Sequence, residues 1–223
     1  LDGMDWAAAQ QADQDLKNTW AEVITRFGNG NFRHANLLHA DLHPGNYRFN
    51  RDGTVGFVDF GCGKILPERK RWWWGIIMRA VVDGRSNDLR DALVQAGFIT
   101  AESPLTAEEL QWFYSQVFDE IVTAPQPATY SPVSGARTAR WLFGLDSTNP
   151  LSRMTAPDDY VFAPRVQTAI NSVCGALNAT LPARAIADDM DEVAEPITEL
   201  GKLHHAWVRE RGLPSALEHH DHP

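Results

Sequence analysis

The sequence has little cysteine, no long apolar run and no excess of basic residues. Its two cysteines, Cys62 and Cys174, cannot form the disulfide framework that holds small secreted domains together. No stretch approaches the ~20 apolar residues that a membrane-spanning helix needs. The formal net charge is -9, whereas proteins that bind nucleic acid present a basic surface, so we expect no nucleic-acid partner. These absences leave a globular protein, expected in the cytoplasm, whose 43% hydrophobic content suffices for one sizeable core.

Most of the chain shows the spacing of amphipathic helices. Gly28 is expected to end the first long helix, and Pro196 to break or kink the last one. A short β-hairpin is predicted on either side of the Asp52-Gly53 turn. The predicted helices cover Asp15 to Phe27, Trp72 to Val82, Asp88 to Gln95, a segment that starts at a Thr106–Glu109 capping box, Ala136 to Phe143, Tyr160 to Ala179 and Ala183 to Arg211. The fold class is therefore mainly α with a small β-hairpin.

Two acidic motifs lie on either side of the predicted turn. Residues 39–46 read HADLHPGN, and residues 59–61 read DFG. Phosphoryl transfer needs a group that orients or deprotonates the acceptor, and metal ligands that neutralise charge on the triphosphate. In the protein-kinase pattern an Asp is followed five residues later by an Asn and then by the Asp of DFG, and Asp41, Asn46 and Asp59 repeat this order. Asn46 and Asp59 offer the hard oxygen ligands that Mg²⁺ prefers, which leaves Asp41 as base or acceptor-orienting group.

The predicted hairpin explains how these side chains meet. Asn46 starts one strand and Asp59 ends the other, so the two candidate ligands should converge on one metal-sized volume. His39 is expected to support the loop through a hydrogen bond. For His43 two readings stay open, because it can approach the phosphates or brace the Pro44-Gly45 turn.

At this point the sequence resembles the atypical UbiB-like (AarF/ADCK) kinase family. The resemblance rests on both motifs and on residues 64–71, and continues more weakly through residues 160–166. It implies a protein-kinase-like fold, ATP and Mg²⁺ as cofactors, ATPase or small-molecule kinase activity, and a link to isoprenoid quinone metabolism at membranes. Asp41 then corresponds to the catalytic-loop acid, Asn46 and Asp59 to the metal and cofactor ligands, and Gly61 to a supporting residue. The acceptor, a small molecule or a lipid, stays open.

Two alternatives remain beside this interpretation. Aminoglycoside and choline phosphotransferases share the first motif, but residues 62–67 replace their usual Gly-Asp-Pro continuation. A catalytically inactive, nucleotide-binding pseudokinase scaffold is the other. This alternative is considered because a kinase N-terminal lobe places a lysine on a strand and a glutamate on a helix. Lys17, the one lysine before the motif, lies in a helical pattern instead. We therefore expect the C-terminal lobe of a protein-kinase-like fold without its N-terminal lobe, in a fragment or a truncated chain.

Three regions are predicted along the chain. Residues 1–180 form the kinase-like lobe, residues 181–213 a C-terminal helical extension, and residues 214–223 a disordered tail. The basic and aromatic residues 69–74 suit either a peripheral membrane contact or a helix packed beneath the site with its basic side chains in water. Helical geometry favours packing, because three consecutive residues span roughly 200° at the ~3.6-residue turn.

Overall fold

The computed structural model describes residues 2–144, 149–215 and 217–218. Within these ranges the chain forms ten α-helices, two short 3-10 helices and three two-stranded sheets. The helices are α1 (Trp6–Gln10), α2 (Gln14–Ala35), α3 (Glu68–Asp83), α4 (Ser86–Ala96), α5 (Ala107–Val117), α6 (Asp119–Val122), α7 (Pro132–Phe143), α8 (Ala163–Ala176), α9 (Ala183–Met190) and α10 (Glu199–Glu210). The strands are β1 (Leu37–His39), β2 (Tyr47–Phe49), β3 (Val55–Phe57), β4 (Gly63–Ile65), β5 (Ala128–Thr129) and β6 (Thr180–Leu181). The expected class, mainly α with a small β-hairpin, is confirmed.

The three sheets are small and antiparallel. β2 and β3 form the predicted hairpin, in which Tyr47 pairs with Phe57. Met4 extends this hairpin, because it exchanges both backbone hydrogen bonds with Phe49 at 2.8 and 3.0 Å. The pairs β1–β4 and β5–β6 were not predicted. Their strands have two or three residues, too few to show the alternation by which a strand is recognised in a sequence.

The hydrophobic core has two parts. The first lies among α2, the hairpin, α8 and α9, and its fully buried side chains include Trp20 and Phe49. The second lies among α3, α4 and α5, around Phe113. Trp74 of α3 and Tyr160 stack at 5.6 Å between the ring centroids and join the two parts. Leu42 and Tyr47 of the motif segment belong to the first part, so this part of the core supports the motif segment.

A buried ionic cluster fixes the C-terminal helices to α2. The guanidinium of Arg26 donates two hydrogen bonds of 2.7 Å to the carboxylate of Asp189, and a third of 2.8 Å to Glu22. Arg33 likewise donates to Asp191 at 2.8 Å. Asp189 is fully buried, and its charge is therefore compensated by hydrogen bonds instead of water.

The prediction that Gly28 ends the first long helix is wrong. α2 continues to Ala35 and ends at Asn36, which adopts the left-handed conformation with φ of 55°. Gly28 is there for packing, since a Cβ atom on it would lie 2.9 Å from Ile170 Cδ1 and 3.0 Å from Leu42 Cδ1. Glycine at this position lets α8 and the motif loop approach the helix closely.

The segment of residues 69–74 packs into the protein, as helical geometry favoured, but Arg71 does not face water as expected. Its side chain is 1% exposed and donates hydrogen bonds to the carbonyls of Arg33 at 3.2 Å and Ser215 at 2.8 Å. The indole of Trp72 donates to the carbonyl of Leu217 at 3.1 Å. Part of the predicted tail is thus held by α3, while residues 216 and 219–223 lie outside the described residues.

Other local predictions can be compared directly. The capping box of Thr106 and Glu109 is confirmed, with hydrogen bonds in both directions. The expected break in the last helix is confirmed, because α9 and α10 are separated by residues 191–198, which include Pro196. α8 begins three residues later than expected, at Ala163, and α7 begins earlier, at Pro132. Over the described ranges, no helix combines the length and the hydropathy needed to cross a bilayer.

Candidate active site

Both acidic motifs lie on one segment that begins and ends at the β1–β4 sheet. His39, the last residue of β1, pairs with Gly63, the first residue of β4. The pairing extends one step further, because the amide of Ala40 donates to the carbonyl of Cys62 at 2.8 Å. Residues 40–62 therefore form a loop whose two ends are held side by side by this pairing, which we call its closed base.

His39 lies beneath the motif loop and is 2% exposed. Its Nδ1 accepts a hydrogen bond of 3.3 Å from the backbone N–H of Asp41, so in the neutral ring the proton is on Nε2. The rings of Phe27 and Phe60 contact it edge to face, with centroids 5.8 and 5.0 Å away. This placement is compatible with the supporting role of His39, which stays a prediction.

The tight turn after Leu42 is built from His43, Pro44 and Gly45. The amide of Gly45 donates to Nδ1 of the exposed His43 imidazole at 3.0 Å, and the amide of Asn46 donates to the carbonyl of His43 at 2.8 Å. Pro44 begins a 3-10 helix that ends at Asn46. Of the two readings for His43, the geometry therefore favours bracing of the turn.

Asn46 and Asp41 are in direct contact. The side-chain amide of Asn46 donates to Oδ2 of Asp41 at 3.0 Å and to the backbone carbonyl of Asp41 at 3.3 Å. A carboxylate accepts hydrogen bonds and donates none when ionised, so the NH₂ group of Asn46 must face Asp41. The amide oxygen of Asn46 is consequently directed away from Asp41 and is available to a cation.

Asp59 directly follows Val58, the residue that pairs with Asn46 across the hairpin. The amide of Val58 donates to the carbonyl of Asn46 at 2.9 Å, which extends the β2–β3 pairing to the position before Asp59. Asp59 has a φ of 63°, a conformation that Asp tolerates because its short side chain can bond locally. Its Oδ1 accepts from the amide of Gly61 at 3.1 Å, while the side chain as a whole is exposed. Oδ2 remains for a ligand.

The donor set suits a hard divalent cation that also binds phosphate oxygens. An amide oxygen is available on Asn46, and a carboxylate oxygen is available on Asp59, two residues after β3. Among the described residues, no group of three or more His, Cys, Asp and Glu side chains is arranged to hold a metal by itself. Mg²⁺ commonly binds through one or two protein oxygens, with water and substrate phosphates completing its octahedron, so these two residues fit that ion.

Packed aromatic side chains support the hairpin. Tyr47 is 1% exposed and contacts Phe57 at 5.3 Å between centroids, and Phe57 stacks on Phe27 of α2 at 3.6 Å. Burial, together with the nearby Cys174 and Asp41, raises the pKa of Tyr47 well above its ordinary value. The phenol therefore stays neutral at any physiological pH and serves as packing.

A cleft of about 440 Å³ opens beside Asp41, on the side of α8. Arg165 of α8 reaches the carboxylate of Asp41, with 3.4 Å between its guanidinium nitrogen and Oδ1. Its side chain is 57% exposed and can move without desolvation cost. Thr168 and Ser172 add hydroxyl groups to the same wall. The rest of the lining is mainly apolar, and its larger side chains are those of Trp6, Leu42 and Phe143.

Sequence reasoning missed the α8 wall of this cleft. Residues 160–166 contributed to the family resemblance, but no role was assigned to Arg165. A signal was present in the spacing, because Arg165, Thr168 and Ser172 follow at intervals of three and four residues and so share one helix face. A polycationic aminoglycoside would need an acidic substrate pocket, and the described residues of this cleft do not form one. Among the described lining residues, Asp41 is the one carboxylate and Arg165 faces it.

Comparisons with known proteins agree with the family resemblance. Residues 2–93 match the family model described as ABC1 atypical kinase-like domain. An uncharacterized aarF domain-containing protein kinase of Arabidopsis thaliana, described as chloroplastic, is 32% identical over 101 residues, which cover 42% of this chain and 18% of that protein. Rv3197 of Mycobacterium tuberculosis, solved as a complex with erythromycin, superposes with a TM-score of 0.62 at 20% identity, covering 84% of this chain and 47% of that one. The fold is thus shared with Rv3197, and the chain spans less than half the length of either protein.

Proposed function

We propose that the chain is a member of the UbiB-like (ABC1, AarF) family of atypical kinases, whose family model matches residues 2–93, and that the intact protein transfers phosphoryl groups from Mg²⁺-bound ATP. We further propose that the chain is the C-terminal lobe of a kinase-like fold, with residues 181–213 as a helical extension held on α2. The companion lobe would supply the strand lysine and helix glutamate of a complete nucleotide site.

One observation carries the proposal: the contact between Asn46 and Asp41 divides their roles. Asn46 turns its NH₂ group to Asp41 and its oxygen away from it. Asp59, whose Oδ1 is occupied by the Gly61 amide, offers Oδ2. Mg²⁺ bound by these two oxygens would neutralise the charge of the triphosphate during transfer. Asp41 is held in place by Asn46 and the His39 loop, and it would accept a proton from an acceptor hydroxyl or from water once the exposed Arg165 side chain moves from its Oδ1.

The cleft beside Asp41 suggests what the acceptor looks like. Its apolar walls suit a hydrocarbon body, while Asp41, Thr168 and Ser172 offer partners for a hydroxyl group. A hydroxyl-bearing small molecule or lipid fits this combination, and a role in isoprenoid quinone metabolism is consistent with it. Erythromycin, the ligand of the Rv3197 complex, also combines hydroxyl groups with an apolar ring and belongs among the acceptors to be tested. A polycationic aminoglycoside is less well matched, because the cleft carries Arg165.

Three variants with a matched control test the assignment. Asp59→Asn should weaken stabilisation by ATP and Mg²⁺, because a cation ligand loses its charge. Asp41→Asn should leave nucleotide binding within about threefold and lower phosphate release or transfer by about 10²-fold or more, the usual contribution of a catalytic acid or base. Asn46→Ala should reduce both. Asp52→Asn, at the exposed turn of the same hairpin, should change neither.

The outcomes separate the alternatives. Phosphate release that is unchanged in both Asp41→Asn and Asp59→Asn contradicts the proposed site. Stabilisation by ATP and Mg²⁺ that is lost in Asp59→Asn, without any turnover in the parent protein, supports the pseudokinase scaffold instead. Consumption of ATP that depends on an added hydroxyl compound supports a small-molecule kinase. Flotation with anionic liposomes tests the further proposal that a cytoplasmic protein contacts the membrane peripherally through exposed Arg69.

A further inference from the structure

A second cavity, of about 230 Å³, lies between α3, α5 and the start of α8, away from the acidic motifs. Its walls are largely aromatic, with Trp74, Phe98, Phe113 and Tyr160 among them. Met154 and the exposed Ala156 lie at one side. Three other cavities between described residues measure at most about 20 Å³ each. Since protein interiors are packed about as densely as organic crystals, a space of this size stands out as a candidate binding site.

The lining is mostly apolar, and two of its polar groups already have protein partners. The hydroxyl of Tyr160 donates to the carbonyl of Lys70 at 2.7 Å. The side-chain amide of Gln167 donates to Asn171 at 2.9 Å. A buried water needs two to four polar partners, and an apolar cavity without them stays dry.

The volume indicates which occupant fits. An apolar cavity of about 150 Å³ engineered into another protein binds benzene. A cavity of about 230 Å³ has room for a fused pair of rings or for a short branched hydrocarbon. We propose that this cavity is a binding site for a small, uncharged, apolar ring compound.

Such a ligand would lie against a segment that leads to the candidate active site. Ala163 and Pro164 line the cavity, and the next residue, Arg165, pairs with Asp41. On the other side, Lys64 donates to the carbonyl of Asp158 at 2.6 Å, two residues before Tyr160. Occupancy therefore orders residues 158–165, whatever reaction the acidic motifs support.

Naphthalene is a suitable probe, with myo-inositol as a polar compound of one ring. At several times its Kd, naphthalene should raise the thermal midpoint of the protein by about 2–4 °C and slow backbone hydrogen exchange in residues 158–165. Ala156→Leu, which narrows the cavity, should weaken naphthalene binding at least fivefold, whereas Ala136→Leu on the exposed face of α7 should not change it.

Met154→Ala provides a second test that does not depend on filling the cavity. It enlarges the space, and should change the relative affinity for benzene and naphthalene at least threefold in favour of naphthalene. The proposal is overturned if naphthalene up to its solubility limit leaves the thermal midpoint unchanged. Equal binding to the parent protein and Ala156→Leu, or equal stabilisation by myo-inositol, also overturns it.

Discussion

Replacing Asp189 by Ala should be among the most damaging single changes in the protein. Burial disfavours the charged guanidinium of Arg26, but the hydrogen bonds and charges of Asp189 and Glu22 outweigh it, so the pKa of Arg26 is raised above its ordinary value. Asp189 is fully buried and accepts two hydrogen bonds of 2.7 Å from this guanidinium. Its removal leaves a buried cation with Glu22 as its remaining carboxylate partner.

The size of the effect follows from this geometry. Removing one partner of a buried ion pair typically costs 3–5 kcal/mol, and because Glu22 remains we expect about 3 kcal/mol for Asp189→Ala. Arg26→Met should cost a similar amount, because it leaves the Asp189 carboxylate buried without its cation. The double variant Arg26→Met/Asp189→Leu removes both charges and should cost less than the sum of the single changes by about 2 kcal/mol or more.

Urea unfolding at pH 7.5 measures these differences. With a slope near the upper end of the usual range, about 3 kcal/mol per molar, a loss of about 3 kcal/mol lowers the midpoint by about 1 M. Glu199→Ala is the control, because Glu199 pairs with Lys202 at the surface and should cost under about 1 kcal/mol. A cost below about 1 kcal/mol for Asp189→Ala, or strict additivity in the double variant, would refute the reasoning.

Three further predictions concern other parts of the fold. Burial, with the positive charge of nearby groups, lowers the pKa of His204 to about 3 in the folded protein. As the pH falls below about 6.5, His204 therefore takes up a proton in the unfolded chain but not in the folded one. Between pH 7 and pH 5 this should remove up to about 2 kcal/mol of unfolding free energy, and His204→Gln should lose less, as measured by urea titration at both pH values. Burial raises the pKa of the Cys174 thiol to about 12, so iodoacetamide should label the partly exposed Cys62 in the native protein and Cys174 only after unfolding, as read by mass spectrometry. Gly175→Ala should destabilise by about 1–3 kcal/mol, because the new Cβ overlaps the carbonyl oxygen of Ser131, and calorimetry checks this.

Local features of the fold could be predicted from the sequence because their determinants lie a few residues apart. Thr106 and Glu109 define a helix start by themselves, and the Asp52-Gly53 turn defines the hairpin. The Asp41–Asn46 contact was not predicted, although its determinant is also local, since a single short loop joins the two residues. The motif residues of the candidate site could be selected from the sequence for the same reason.

The errors arose where the partner is distant along the chain. Gly28 was expected to stop α2, yet its role depends on Ile170. Arg71 was expected in water, yet it is buried because the carbonyl of Ser215 reaches it. Arg165 lies beside Asp41 only after α8 has packed against α2. Residue type and helical spacing restrict such contacts without selecting them, because tertiary packing decides which of several compatible faces meet.

The closed base of residues 40–62 has a consequence for how the protein tolerates change. Ala40 and Cys62 are joined by a backbone hydrogen bond, so the two ends of the segment between them, which we call the insert, are fixed relative to each other. The described side chains of α4 and α5 pack in the second core part, so substitutions there should disturb the insert little. Variation in α8 is different, because Arg165 of this helix reaches Asp41 of the insert, and it should change the lining of the proposed acceptor cleft first.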